Sequence, residues 1–293
     1  MTRPTIGLLG LGEVGQLLAA DLPQSAHEVL VTWDLKLPDP DSIPSKALPT
    51  MNVTAMPDAA SLAVKSDIIL CAVTAEKTLN AANSVAPNLR DGAWYFDMNS
   101  ASPGQKVAAS NAIHTAGGRY VEGAVMSPAA AKRLAMPILL GGPHAAAFEP
   151  IARAIGFSGT TVFSDIPGKA SAAKMCRSVM VKGVEALLTE SMLSARQYGV
   201  EDTVIQSLSD LFPGPDWSRL TPYMISRSIE HGGRRAEEMR EVAKTVAEAG
   251  LPPLMSSATA ERQDLTKAYT DALDARDLST MLDTILARME TKE

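Results

Sequence analysis

A glycine-rich segment near the start of the chain has the residue types and spacing that bind a dinucleotide. The apolar run of residues 6–9 is followed by Gly10, Gly12 and Gly15 in G-x-G-x-x-G spacing, and then by a helical pattern. The first glycine allows a tight turn, the second lets the backbone approach a pyrophosphate, and the third lets the helix pack closely on the strand. The phosphates would then bind at the helix N-terminus, where unpaired N–H groups and the helix dipole favour negative charge.

Asp34 supplies the second half of this pattern. It follows another apolar run, residues 29–33, and lies 19 residues after Gly15. A carboxylate there accepts hydrogen bonds from the adenosine ribose hydroxyls and repels a 2′-phosphate, so it predicts NAD, although Lys36 nearby would soften the preference against NADP. The other interpretation is an ordinary strand–helix turn with an incidental Asp34. The cofactor contacts predicted from these two segments are Gly10, Leu11, Gly12, Glu13, Val14 and Asp34.

Lys174 is the candidate for acid–base chemistry. Small residues precede it where it enters a long apolar helical stretch, residues 172–198, and Ser178 and Lys182 follow on the same helix face. A desolvated ammonium close to Lys182 would lose its proton more readily and would exchange it near neutral pH. On the other interpretation Lys174 extends from a partly buried helix with its charge in water. A cleft between two domains, where such a helix would form a wall, favours the catalytic role.

Four segments spread over nearly the whole chain match the motifs of one enzyme superfamily. The dinucleotide loop is residues 10–15, and a substrate loop with Asp, two small polar residues and then Pro is residues 97–103. A second substrate loop, normally Ser-Gly-Gly, aligns with residues 125–129, and the catalytic lysine motif falls on Lys174, with Ser178 where asparagine is usual. On these residues the chain resembles the β-hydroxyacid dehydrogenases, which include 6-phosphogluconate and 3-hydroxyisobutyrate dehydrogenases. It resembles most closely a branch whose C-terminal domain has only a domain-of-unknown-function label.

The resemblance implies an oxidoreductase that transfers a hydride between a nicotinamide cofactor and a small β-hydroxy acid or related alcohol. Lys174 would be the general acid and base, and Ser178 would be its catalytic neighbour on the helix. Ser100 and Ser127 would hold polar groups of the substrate. The resemblance also adds three cofactor contacts, which are Val73, Thr74 and, near the nicotinamide ribose, Asn99.

Two segments bear on substrate recognition, and the first of them departs from the family pattern. Pro128 replaces the first glycine after Ser127, and proline has no N–H to offer a substrate carboxylate. In the segment 231–239, His231, Arg234 or Arg235 would bind an anionic or hydroxylated substrate. The alternative for that segment is an ordinary helix start with exposed arginines.

Two other functions compete with alcohol oxidation. Imine reductases share the implied fold and often replace the lysine, so Lys174 favours the alcohol chemistry. A dinucleotide-binding sensor without turnover is the alternative outside enzymes. The presence of Lys174, Ser100 and Ser127 speaks against it, because a chain that had lost catalysis would lose these residues first.

The elements that must position these residues fall into two groups. Apolar runs alternating with helical segments predict a Rossmann-like, doubly wound sheet covered on both faces over residues 1–165, with a proline-rich loop after Asp34. Helical periodicity then predicts an all-helical domain, residues 166–293, for substrate binding and dimerisation. The predicted strands, after those at residues 6–9 and 29–33, cover residues 66–73, 93–97, 119–124, 136–142 and 160–163, and the predicted helices residues 172–198, 222–229, 234–249 and 255–274.

Composition narrows the class of partner. The net charge of −6 and the lack of a basic block argue against nucleic acid, and no apolar run approaches the ~20 residues of a membrane span. No leader pattern opens the sequence, and the two cysteines, both in apolar stretches, suggest buried free thiols in a reducing cytoplasm. The four histidines show no metal-ligand spacing, so we predict no metal. The expected partners are a small-molecule substrate and, because the helical domain is so apolar, a second copy of the chain.

Overall fold

The computed structural model describes residues 3–290, and the chain forms two compact units, Met1–Met175 and Cys176–Glu293. The predicted domains also include residues 1–2 and 291–293, which lie outside the described residues. An α/β unit is followed by an all-helical one, so the predicted fold class is confirmed. The boundary between residues 165 and 166 stays a proposal.

The first unit is built on an eight-stranded sheet in the order β3-β2-β1-β4-β5-β6-β7-β8. Neighbouring strands are parallel except for the antiparallel pair β6 and β7. The first six strands therefore have the order of a dinucleotide-binding sheet. In such a sheet the strands β2 and β3 lie on one side of β1, and the chain then crosses to add β4, β5 and β6 on the other side. The strands are β1 Thr5–Leu9, β2 Val29–Trp33, β3 Thr54–Ala55, β4 Ile68–Cys71, β5 Trp94–Asp97, β6 Arg119–Val125, β7 Ile138–Gly141 and β8 Thr160–Ser164.

Both faces of the sheet are buried, as the continuous apolar runs predicted. Successive side chains of a strand point to opposite faces, so Ile68 and Leu70 join one core while Ile69 and Cys71 join the other. The helices of this unit are α1 Glu13–Asp21, α2 Ile43–Ala47, α3 Ala59–Lys65, α4 Thr78–Val85, α5 Pro103–Thr115, α6 Ala129–Lys132 and α7 Ala145–Ala154.

Two parts of the sheet were not predicted. The strand β3 has only two residues, both exposed, so it carries no apolar run to reveal it. The reversed direction of β7 also has no local signature, because an apolar strand looks the same in either direction. The proline-rich segment after Asp34 forms the short helix α2, which Ser42 caps, and a 3₁₀ turn, Leu48–Thr50, so the expected absence of a long helix there is confirmed.

The second unit consists of long helices whose bounds differ from the predicted ones. The helices are α8 Lys169–Tyr198, which begins in the first unit, α9 Glu201–Leu211, α10 Trp217–Glu248, α11 Leu254–Thr266 and α12 Leu278–Glu290. The two helices predicted over residues 222–249 are one, α10. Gly232 does not interrupt it; a Cβ at this position would lie 2.6 Å from the Gln263 carbonyl oxygen, so the glycine lets α11 pack closely.

Three further expectations for this unit are wrong. The helix predicted over residues 255–274 ends at Thr266 and is followed by a 3₁₀ turn, Thr270–Asp274. The helix α8, expected to be apolar on nearly every face, buries polar side chains such as Lys182 and exposes Met180, because the buried charges pair with α10. Of the two cysteines only Cys71 is buried, whereas Cys176 is exposed on α8. No helix within residues 3–290 is long and apolar enough to cross a bilayer.

Candidate active site

The predicted cofactor and substrate loops of the first unit lie along one edge of the sheet. Parallel strands end at the same edge, and the glycine loop follows β1, Asp34 follows β2, and Val73 and Thr74 follow β4. Ligands of such sheets bind outside the carboxyl ends of the strands, at the switch between β1 and β4. Three further residues lie at this edge, after β5 and β6, and they are Asn99, Ser100 and Ser127.

Glycine suits each of the three positions of the loop for a different local reason. Gly10 has a φ of +101°, and a Cβ there would lie 2.4 Å from the Ala72 carbonyl oxygen. At Gly15 a Cβ would lie 2.1 Å from the Gly10 carbonyl oxygen, so α1 could not pack on the loop. At Gly12, which precedes α1, nothing lies within 4 Å of a Cβ, and no side chain of the described residues caps this helix. This open space at an uncapped helix start fits the pyrophosphate of a dinucleotide.

Asp34 ties the glycine loop to the end of β2. Its Oδ2 accepts a hydrogen bond from the Leu11 N–H at 2.8 Å, and its Oδ1 accepts one from the Lys36 N–H at 2.8 Å. Each carboxylate oxygen has a second lone pair, so both can still accept ribose hydroxyls. The same side chain therefore shapes the loop, and its contact with the adenosine ribose stays a prediction.

Asn99 joins the ends of β4 and β5. Its Oδ1 accepts from the Val73 N–H at 2.7 Å, its Nδ2 donates to the Cys71 Sγ at 3.3 Å, and its own N–H donates to the Asp97 Oδ1 at 3.0 Å. These bonds make Asn99 a support for the cofactor loop after β4. The contact predicted between Asn99 and the nicotinamide ribose stays a prediction.

Beneath the loop after β5 lies a buried charge network that the sequence did not reveal. The Lys106 ammonium lies 2.8 Å from the Asp97 Oδ1, and the Tyr120 hydroxyl donates to the Asp97 Oδ2 at 2.8 Å. Burial, with the Asp97 charge nearby, raises the pKa of the Cys71 thiol to about 12, so it stays protonated at neutral pH. The network therefore fixes Asp97, the first residue of the predicted substrate loop.

Lys174 meets this substrate loop directly. Its Nζ donates a hydrogen bond to the Ser100 Oγ, and the side chain is half-buried. Both residues belong to the first unit, so the structure brings the predicted acid–base group and one predicted substrate serine together. Ser127 lies at the same edge, where its Oγ makes a 3.5 Å bond to the Pro128 carbonyl oxygen.

The predicted residues of the second unit lie in a network of charges between α8 and α10. The Lys182 Nζ lies 2.8 Å from the Glu238 Oε2 and donates to the Ser178 Oγ at 3.3 Å. Arg234 is 3.7 Å from the second oxygen of Glu238, and His231 is 3.5 Å from Glu230. Ser178, predicted as catalytic, is thus buried as an acceptor for Lys182.

The two arginines of this segment differ in environment. The Arg235 side chain, largely buried, lies 2.7 Å from the Glu185 Oε2, whereas the Arg234 side chain is half exposed. Burial raises the pKa of Glu185 to about 7, and the nearby Arg235 and Lys182 charges oppose that rise. Because Arg235 is largely buried and already pairs with Glu185, Arg234 is the better candidate of the two for an anionic substrate. Within residues 3–290, no group of three or more His, Cys, Asp or Glu side chains has metal-site geometry.

Comparisons with known proteins match both units. The family described as the NAD binding domain of 6-phosphogluconate dehydrogenase matches residues 5–164, and a domain of unknown function, DUF1932, matches residues 195–266. A conserved hypothetical protein from Sinorhizobium meliloti 1021 is 36% identical, with a TM-score of 0.76 over 98% of this chain and 97% of that one.

Two more distant structures share the fold. A Mycobacterium tuberculosis 3-hydroxyisobutyrate dehydrogenase, solved with L-serine, is 16% identical with a TM-score of 0.72, covering 97% of this chain and 99% of that one. A Streptomyces aurantiacus imine reductase is 17% identical with a TM-score of 0.56, over 97% of this chain and 99% of that one. At these identities the likeness concerns the fold alone.

Proposed function

Because the chain belongs to the family of the NAD-binding domain of 6-phosphogluconate dehydrogenase, we propose that it is an NAD(P)-dependent oxidoreductase acting on a small β-hydroxy acid or related alcohol. The observation that carries this proposal is the hydrogen bond from the Lys174 Nζ to the Ser100 Oγ. This bond joins Lys174, the half-buried lysine of the catalytic motif, to a serine of the substrate loop. A reacting hydroxyl bound beside Ser100 would lie within reach of a proton acceptor.

Lys174 and Ser100 have different roles in the proposed reaction, proton transfer and substrate orientation. The cofactor, when bound, takes or gives a hydride at its nicotinamide ring. Lys174 accepts the hydroxyl proton during oxidation and returns a proton to the carbonyl oxygen during reduction. Ser100 and Ser127 orient the substrate through their hydroxyl groups, and His231 and Arg234 are the proposed contacts for an anionic or hydroxylated end. Ser178, held by Lys182, is the proposed catalytic neighbour of the lysine.

Imine reduction is the second candidate, and the fold shared with the Streptomyces aurantiacus imine reductase favours it. An alcohol oxidation needs a base for the hydroxyl proton, which the Lys174 amine supplies, so the lysine supports the first candidate. A screen of hydroxy acids, β-hydroxy amino acids including L-serine, sugar acids and cyclic imines with both cofactors separates the two. Turnover of imines alone would reject the alcohol chemistry, and cofactor binding without any turnover would favour a sensor.

NADH is expected to bind more tightly than NADPH, because the Asp34 carboxylate repels a 2′-phosphate. Asp34→Asn removes the charge and keeps an acceptor oxygen for the Leu11 N–H, so the preference should relax toward NADPH. Asp34→Ala also frees that N–H and should weaken binding of both cofactors. Fluorescence titration of wild type and variants measures this, with Asp39→Asn, an exposed carboxylate of the same segment, as the control. Tighter binding of NADPH by the wild type would reject the prediction.

A homodimer formed through the helical unit is the proposed assembly. Met180 and Leu187, spaced to lie on one face of α8, are 67% and 57% exposed, and Tyr223 on α10 is 57% exposed. Exposed apolar side chains grouped on a face favour a protein contact. On this proposal His231 or Arg234 completes the site of the neighbouring subunit, and activity falls on dilution.

Light scattering tests the dimer against the mass of one chain, 31.0 kDa. Leu187→Glu places a charge in the proposed contact and is expected to lower the measured mass to that of the monomer. A wild-type monomer with full activity at micromolar concentration would contradict the proposal. So would a dimer formed only through the first unit. The cytoplasmic location predicted from the sequence also stays a proposal.

A further inference from the structure

Glu122 is a buried carboxylate for which the proposed reaction has no use. It lies on β6 with an exposed fraction of 0%. Its Oε2 accepts a hydrogen bond from the Gly168 N–H at 2.7 Å, and its Oε1 accepts one from the Ser171 N–H. Both donors belong to the start of α8, which begins at Lys169. We propose that Glu122 is a positioning residue, which holds the first turn of α8 so that Lys174 meets Ser100.

The first turn of α8 needs such an acceptor. The N–H groups of a first turn have no partner inside the helix, and the residue just before it usually supplies a capping side chain. Here that residue is Gly168, which has no side chain and a φ of +88°. A carboxylate from the sheet takes over the capping, and its negative charge also suits the positive end of the helix dipole.

The surroundings leave room for this carboxylate. Gly141 on β7 lies directly opposite Glu122, and a Cβ at Gly141 would lie 2.6 Å from the Glu122 Oε2. On the helix side, a Cβ at Gly168 would lie 3.1 Å from the Pro103 carbonyl oxygen. Burial raises the pKa of Glu122, and the nearby Asp97 charge raises it further. The Lys106 charge and the hydrogen bonds from the two backbone N–H groups lower it. Buried carboxylates are retained only where such partners compensate for lost water.

A second bond connects the capped turn to the substrate loop. The Ser171 Oγ donates to the carbonyl oxygen of Ala101, the residue after Ser100. Lys174 lies three residues beyond Ser171, on the same helix face. Ser171 is thus held at two points, its backbone N–H by Glu122 and its hydroxyl by the Ala101 carbonyl oxygen of the substrate loop. The first point lies about one helical turn before Lys174, and the second lies one residue after Ser100. Loss of the Glu122 bond would let this turn shift and separate Lys174 from Ser100.

Glu122→Gln tests the proposal, which rests on the proposed role of Lys174. The amide has one acceptor oxygen and an NH₂ group that cannot accept, so one of the two backbone N–H groups loses its partner. With saturating cofactor, kcat is expected to fall at least tenfold while the Kd for NADH changes less than twofold. Asp58→Ala is the control, because the Asp58 Oδ1 caps α3 through the Ser61 N–H at 2.7 Å and alanine removes that cap. It should lower the stability of the first unit and leave kcat unchanged.

A readout without activity separates this proposal from the proposed function. The labelling rate of each lysine by an amine reagent is measured by mass spectrometry, with the exposed Lys65 as reference. Glu122→Gln is expected to raise the Lys174 rate at least threefold, because the amine loses Ser100. Ser171→Ala, a milder change, should move it in the same direction if Glu122→Gln does not fold. Unchanged Lys174 labelling in the folded variants would overturn the positioning role, whereas raised labelling in an enzyme without turnover would support that role and reject only the proposed function.

Discussion

Lys174→Ala is expected to lower turnover by about 10²–10⁴-fold, the usual contribution of general acid–base catalysis. The Lys174 Nζ donates to the Ser100 Oγ, which belongs to the predicted substrate loop and not to the glycine loop. Cofactor affinity should therefore stay within about twofold of wild type, as for a group that acts on the proton alone. The measurement is kcat with the best substrate of the screen, together with an NADH titration.

Lys169→Ala is the matched control for this variant. Lys169 is an exposed lysine of the same helix, five residues before Lys174, so its loss changes charge and helix composition in the same way. Full activity of this control with loss of activity in Lys174→Ala would locate the effect at the one amine. If Lys174→Ala instead keeps more than about a tenth of the wild-type rate, outside the range for acid–base groups, the lysine is structural.

Gly12→Ala is expected to weaken cofactor binding, whereas Gly15→Ala is expected to lower the stability of the free protein. Gly12 has a φ of −74° and open space beside it, so alanine fits the free protein at a cost of roughly 1 kcal/mol or less. The new methyl group fills the space where the pyrophosphate would approach. The Kd for NADH should rise at least about tenfold, which is roughly 1.4 kcal/mol.

At Gly15 the added Cβ meets the Gly10 carbonyl oxygen inside the fold, which must shift to accommodate it. Overpacking of this kind costs about 1–3 kcal/mol, so the melting temperature should fall before any cofactor is added. Thermal melts and NADH titrations on both variants measure the two effects. Wild-type affinity in Gly12→Ala would contradict the placement of the phosphates at this helix start.

The cofactor loops could be read from the sequence because their signals are local. The three glycines and Asp34 are separated by short, fixed distances along one strand–helix–strand unit, and the family matches over residues 5–164 and 195–266 confirm the resemblance. Lys174 and Ser100 were predicted as site residues from two separate motifs, and the structure adds the hydrogen bond between them across 74 residues.

The buried polar pairs could not be read in this way. Lys106 on a helix looks like any solvent-facing lysine, and only the fold brings it to Asp97. Glu185 and Arg235 are 50 residues apart on different helices, so neither has a sequence signal for the other. The continuity of α10 was missed because Gly232 suggests a break in a sequence, whereas in the structure it permits a close helix contact.

The reversed pair β6 and β7 also has a consequence for how the lysine reaches the site. β7 pairs only with the second half of β6, and its last residue, Gly141, lies opposite Glu122, which on its other side pairs with Asp97, the last residue of β5. Since β8 runs parallel to β7 and its end pairs with Gly141, both strands end level with the carboxyl end of β5. The chain therefore leaves β8 close to the substrate loop, and α8 begins there, with the Gly168 N–H bonded to Glu122 and its sixth residue, Lys174, at Ser100. The reversal of two strands thus delivers the reacting amine over less than two turns of helix, with no long connection between the sheet and the lysine.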